Sequence, residues 1–148
     1  MTGPLSGVKI VELAQMIAVA GATHILATQG AEIIKVENTT GGDDLRMYGS
    51  RKSNMSGWFA NANAGKKSIG LNLEKEEAKE ILRSFIKDAD VFIEGFRPGA
   101  VSRLGFSADE AFKINPKLVY VSSSGFGAEG PYSERPVYDP VIQAISGW

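Results

Sequence analysis

The side chains best suited to chemistry on a charged ligand are Arg97 and Arg103. Arg97 stands in Gly95-Phe96-Arg97-Pro98-Gly99, directly after the apolar run Val91-Phe92-Ile93. Such a run makes a buried strand, and the glycines and proline turn the chain at its end. An arginine is thereby presented at a strand's carboxyl edge, where open α/β sheets bind ligands, and its guanidinium suits a phosphate or a carboxylate. The same residues also fit a plain strand-to-helix turn carrying a solvated arginine.

Other candidates are weaker. Asp43-Asp44 resembles a magnesium pair, but adjacent side chains on extended backbone point apart, so the expectation is a loop in which Asp43 or Asp44 caps the next turn. Lys66-Lys67 could meet phosphate, although two adjacent lysines at a strand entrance are more often merely solvated. The glycine-rich loop Ser124 to Tyr132 could cradle a ligand with its amides, yet it lacks the Gly-Lys-Ser/Thr ending of a phosphate-binding loop. With no cysteine and one histidine, His24, thiolate chemistry is excluded and metal or histidine-base chemistry is restricted. No metal site is expected.

The elements that would position these residues follow from hydrophobic period. Val8 to Leu13 reads as a strand, Met16 to Gln29 as a helix stopped by Gly30, and Ala31 to Glu37 as a second strand, a βαβ unit with a parallel pair. A nicotinamide dinucleotide domain would carry Gly-x-Gly-x-x-Gly in the first turn, but Leu13-Ala14-Gln15-Met16-Ile17-Ala18 has no glycine, so a Rossmann-like shape is expected without NAD binding. Residues 47 to 66 read as a long polar loop anchored by Trp58-Phe59. Ile69, Leu71 and Leu73 alternate as a third strand. Glu74 to Asp88 is the clearest helix, with Ala78, Ile81, Leu82, Phe85 and Ile86 along one face. Ser107 to Glu110 forms a capping-box pattern before a short helix, and Lys117 to Ser123 is a further strand. Asp139 as N-cap and Pro140 at the first helical position open a last helix with no proper end. The fold class is α/β with a mainly parallel sheet.

Composition agrees with one domain spanning residues 1–148. Lys plus Arg number 16 and Asp plus Glu 17, so no overall basic field attracts nucleic acid or anionic membrane. No run approaches the roughly 18 apolar residues of a membrane span, and a cytoplasmic location is expected.

The ordered motifs resemble the N-terminal part of the family III CoA-transferases, the group that includes formyl-CoA transferase, carnitine CoA-transferase and α-methylacyl-CoA racemase. The resemblance rests on Pro4 to Ile10, Gly30 to Glu37, Gly41-Gly42-Asp43-Asp44, Lys66 to Ile69, Ala89-Asp90-Val91, Phe96 to Gly99, Arg103-Leu104-Gly105, Asn115-Pro116 and Gly125 to Tyr132. It implies a Rossmann-like portion that binds coenzyme A as a substrate rather than a permanent cofactor, with acyl-CoA and a small carboxylic acid as partners. It also implies a homo-oligomer, or association with a C-terminal half.

The family's catalytic aspartate, which attacks the acyl-CoA thioester to give a mixed anhydride, is implied to lie past Trp148 in a longer chain, so no catalytic residue is assigned. Coenzyme A contacts carry over to Ala18, Asn38, Leu71 to Leu73, Gly95, Phe96, Arg97, Arg103 and Tyr138, with the two arginines as phosphate anchors. The sequence differs from the family's usual Ala-Gly-Pro at Ala18-Val19-Ala20, and from its usual arginine at Asn38, which removes a cation expected near the adenosine. Racemases of the group carry histidine where this chain has Tyr138, whose phenol, with a pKa of about 10, shuttles protons poorly at neutral pH. A transferase portion inactive by itself is therefore expected, the alternative being a non-catalytic binding or assembly module.

Overall fold

The computed structural model describes residues 3–53 and 55–148. Among the described residues, seven strands and six helices follow the order β1 (Lys9–Leu13), α1 (Ile17–Thr28), β2 (Glu32–Glu37), β3 (Arg51–Lys52), β4 (Met55–Ser56), α2 (Gly57–Ala62), β5 (Lys67–Gly70), α3 (Glu76–Asp88), β6 (Val91–Glu94), α4 (Ala100–Arg103), α5 (Ala108–Ile114), β7 (Val119–Ser122) and α6 (Asp139–Ser146). A 3₁₀ turn, Asp44–Met47, follows β2. Five strands form a sheet in the order β5-β2-β1-β6-β7, with every neighbouring pair parallel. The expected α/β class with a parallel sheet is thus what the chain forms.

Strand alternation divides the core between the two faces of the sheet. Ile10 and Ile33, with the partly buried Val91 and Ile93, pack beside Ala27 of α1. Val11, Leu13, Val36 and Phe92 point the other way, against Leu82 and Ile86 of α3, Ala111 of α5, and Phe106. Phe92 and Phe106 are both fully enclosed. Burying an aromatic ring of this size contributes about 1.5–3 kcal/mol, so this second face holds most of the hydrophobic stabilisation.

Several local expectations hold. Asp43 caps the 3₁₀ turn by accepting from the Leu45 amide, and Ser107 and Glu110 form the reciprocal capping box of α5. Others need correction. The stretch 47–66 is not one loop: β3 and β4 pair antiparallel, and Ser56 then caps α2 by accepting from the Trp58 and Phe59 amides. Of its two aromatics, Phe59 is buried with Ala20, Leu45 and Ala62, whereas Trp58 is exposed. The third strand ends at Gly70, so Leu71 to Leu73 lie just beyond it, with one further ladder bond from the Leu71 amide to the Glu37 carbonyl at 2.8 Å. Ile81 is on the solvent side of α3 and exposed. Tyr138, not Asp139, occupies the N-cap of α6, and the helix ends properly, with Gly147 at φ 81° and the Trp148 amide bonded to the Gln143 carbonyl at 3.0 Å. No helix among the described residues is long and apolar enough to cross a membrane.

Candidate functional site

The sheet order makes the chain reverse its direction of travel. From β1 it moves outward through β2 to β5, then returns to place β6 and β7 on the other side of β1. Such a reversal opens a crevice at the carboxyl ends of the strands, the usual ligand position in open parallel sheets.

A hollow of about 300 Å³ lies there. Its walls are Leu13, Ala14 and Gln15 at the end of β1, the segment from Val36 to Thr40 with Gly42 and Asp43 at the end of β2, Leu71 to Glu74 after β5, and Phe96 and Leu104 from the turn after β6 and the end of α4. The volume is at the small end of the range of about 300–1,000 Å³ for ligand clefts, enough for one end of a large nucleotide rather than all of it.

Five of the expected contact residues, Asn38, Leu71, Asn72, Leu73 and Phe96, share these walls, while Ala18, Gly95, Arg97, Arg103 and Tyr138 are not among them. Arg97 and Arg103 are exposed on the turn and helix that carry Phe96 and Leu104. Ala18 is exposed in the first turn of α1, and Tyr138 is exposed at the start of α6. Gly95 packs so closely on α1 that a side-chain carbon there would sit 2.9 Å from Val19 Cγ2 and 3.0 Å from Ala14 Cβ. Glycine at 95 therefore lets the end of β6 close against the first helix. Gly99, at φ 77°, supplies the left-handed residue that starts α4.

Asn38 is committed to its own loop. Its Nδ2 donates to the Gly42 carbonyl at 2.8 Å, and its Oδ1 accepts from the Thr40 amide at 2.8 Å. It shapes the wall and offers no charge.

Below the hollow is a set of charged groups that sequence reasoning left unconnected. Glu12, Lys35 and Asp43 are essentially inaccessible, and the Lys66 side chain is 1% exposed. Lys35 Nζ lies 2.6 Å from Glu12 Oε1 and 2.8 Å from Asp43 Oδ2; Lys66 Nζ lies 2.9 Å from Glu12 Oε2. Thr23 Oγ1 donates to Glu12 Oε2 at 2.6 Å, and Lys66 also donates to the Ala20 carbonyl at 2.8 Å and Asn63 Oδ1 at 2.9 Å. Asp43 Oδ2 makes no directed hydrogen bond, the Lys35 ammonium being its partner. Two cations meet two carboxylates, so the cluster is neutral as a whole. Burial lowers the Lys66 pKa, opposed by the attraction of Glu12. The reading of Lys66 as a solvated lysine fails, whereas Lys67 is exposed beside Glu32.

A second acid of the hollow's walls, Glu37, is also matched. Burial alone would raise its pKa, but Arg46, the Ser68 hydroxyl and the Asp43 amide donate to it and hold it down at about 2. Arg46 grips it with Nε at 2.7 Å and Nη2 at 2.8 Å, and its guanidinium stacks 3.7 Å from the centre of the Phe59 ring. Asp43 and Glu37 are thus both held by cations within the wall. The signal for the cluster was visible as a glutamate and a lysine flanked on both sides by apolar residues within the strands, Glu12 in β1 and Lys35 in β2.

A parallel sheet with its hollow at the switch point defines an α/β protein of the Rossmann-like kind. Comparison gives the family. Residues 5–148 match CoA-transferase family III, and the chain belongs to that family. It is 44% identical over 145 residues to acetyl-CoA:oxalate CoA-transferase of Acetobacter aceti, covering 98% of this chain and 37% of that protein. It is 39% identical over 152 residues to succinate–glutarate CoA-transferase of Agrobacterium fabrum, covering 98% of this chain and 38% of that protein. The crystal structure of a CAIB/BAIF family protein from Brucella suis superposes with a TM-score of 0.93 at 38% identity, over 99% of this chain and 40% of that one. The chain thus spans under two-fifths of the length of both transferases.

Proposed function

We propose that these residues form the coenzyme A-binding portion of an acyl-CoA:carboxylate CoA-transferase. The observation that carries the reading is the hollow at the switch point, where Asn38, Leu71, Leu73 and Phe96 converge in a chain of this family. Leucine and phenylalanine surfaces suit the flat adenosine end of the ligand. With Asn38 turned to its own loop, phosphate binding falls to the exposed Arg97 and Arg103, which grip phosphate oxygens with paired N–H groups.

In the reaction proposed for the complete enzyme, an aspartate carboxylate attacks the thioester carbonyl and CoA leaves as its thiolate, giving a mixed anhydride. The CoA thiolate then attacks the aspartyl carbonyl of the anhydride, releasing the donor acid as its carboxylate and leaving an enzyme–CoA thioester. The acceptor carboxylate attacks that thioester and expels CoA, whose thiolate attacks the acceptor's carbonyl in the new anhydride to give the product acyl-CoA and free the aspartate. Relatives named for oxalate and glutarate support a small carboxylic acid as acceptor. The nucleophile is assigned to no residue described above, and no transfer is expected from these residues alone.

Calorimetric titration with coenzyme A tests the site. Micromolar binding is expected, weakened about tenfold in R97A, the cost of losing a charge-assisted hydrogen bond worth about 1.5 kcal/mol. Absence of binding by the unaltered chain sinks the reading.

A second reading, a non-catalytic assembly module, is favoured by α6, which buries none of its residues and leaves Val141 and Ile145 exposed. A clean monomer in sedimentation at high concentration removes this second reading.

A further inference from the structure

The turn between β1 and α1 has no glycine, yet Met16 adopts φ 65° and ψ −159°, a backbone region that is essentially the preserve of glycine. Something must hold it there. We propose that Asp43 is a positioning residue that, with Lys35, clamps this turn in its glycine-like shape so that Ala14 and Gln15 form one wall of the hollow. The ligand consequence rests on the coenzyme A reading above.

The clamp has two jaws. Asp43 Oδ1 accepts from the Met16 amide at 2.9 Å, and Lys35 Nζ donates to the Ala14 carbonyl at 3.0 Å. The two side chains are joined to each other at 2.8 Å. The same Asp43 oxygen accepts from the Leu45 amide at 2.9 Å, so one carboxylate ties the first turn to the loop after β2, and both segments line the hollow. Lys35 is fixed in turn by Glu12, which Lys66 and Thr23 hold from the far side. A buried ion cluster of this kind is weak evidence for stability, and setting a unique geometry is the role better attested for such groups. Here the geometry it sets is a strained turn facing the ligand space.

The test compares the unaltered chain with D43A, M16G and D43A/M16G, by calorimetry with coenzyme A and by amide exchange at Met16 followed by NMR. D43A is expected to bind coenzyme A about tenfold more weakly and to lose protection of the Met16 amide. M16G in the D43A background is expected to restore most of the affinity, because glycine takes a positive φ without a clamp. A purely structural role instead lowers the melting temperature and leaves the affinity of folded D43A unchanged, and that result overturns the proposal. So does a double variant that binds no better than D43A. If the unaltered chain fails to bind coenzyme A, the ligand reading falls separately, and a Met16 amide that exchanges as fast in the unaltered chain as in D43A then overturns the clamp. Where D43A does not fold, D43N keeps an acceptor for both amides and leaves the Lys35 jaw on the Ala14 carbonyl in place. A protected Met16 amide in that variant supports the clamp, and an unprotected one overturns it.

Discussion

Glu37 shows how a single residue can serve the site and the fold at once. It closes β2, its carboxylate takes four donors, and those donors arrive from three residues on two segments: the Asp43 amide and Arg46 of the 3₁₀ turn, and Ser68 of β5. Its pKa is lowered from an ordinary 4.5 to about 2. Because the folded form holds the charged state, the stability it contributes is complete above pH 4.5 and is lost as pH falls through the interval down to about 2. Urea unfolding across that interval is expected to show stability falling with pH, with a shallower fall in E37Q. An equal slope in the two proteins contradicts this account. The residue scale is also where sequence reading reached least. Lys66 and Lys67 are indistinguishable as a pair of letters, yet one goes under α1 to Glu12 and the other to the surface beside Glu32. Which lysine is buried depends on a carboxylate 54 positions away, and no local pattern carries that distance.

At the scale of elements, α3 provides the sharpest contrast. Leu82 is wholly buried against the sheet, and its neighbour Ile81 is exposed, although both are apolar and both suit a helical stripe. L82A is expected to cost about 2–5 kcal/mol, and I81A about 0.5 kcal/mol or less, measured by chemical denaturation. Comparable losses in both would mean that the helix is rotated from the orientation described. Most elements of the sheet were legible because apolar runs and their stop signals are local: β1, β2, β6, β7, α1, α3 and the α5 capping box all lie where the pattern puts them. The stretch 47–66 was not, since its helix is only six residues long and depends on the Ser56 cap and on burial of Phe59 beside Ala20 and Leu45. The site followed the same rule. The turn after β6 announced itself through Gly95, Pro98 and Gly99, while the convergence of four loops on one hollow depended on strand order, which the sequence alone does not display.

For the molecule as a whole, two surfaces are in tension: a well-filled core on both faces of the sheet, and α6, with no buried residue. Tyr138, Val141, Ile145 and Trp148 are all exposed there. An apolar strip of this kind drives association when a matching surface is present. Sedimentation over a wide concentration range is therefore expected to show reversible self-association that weakens in I145E; a clean monomer at high concentration removes the assembly reading and leaves coenzyme A binding alone. The strand order has a kinetic corollary as well. β1 sits at the centre and must pair with a near neighbour, Lys9 opposite Glu32, and with a remote one, Ile10 opposite Val91. Closing the longer loop costs about 1 kcal/mol more in chain entropy than closing the shorter one. The β1–β2 half can therefore nucleate early, whereas β6 docks late, and the hollow, which needs Phe96 and Leu104 from beyond β6 to complete its walls, is among the last features of the molecule to form.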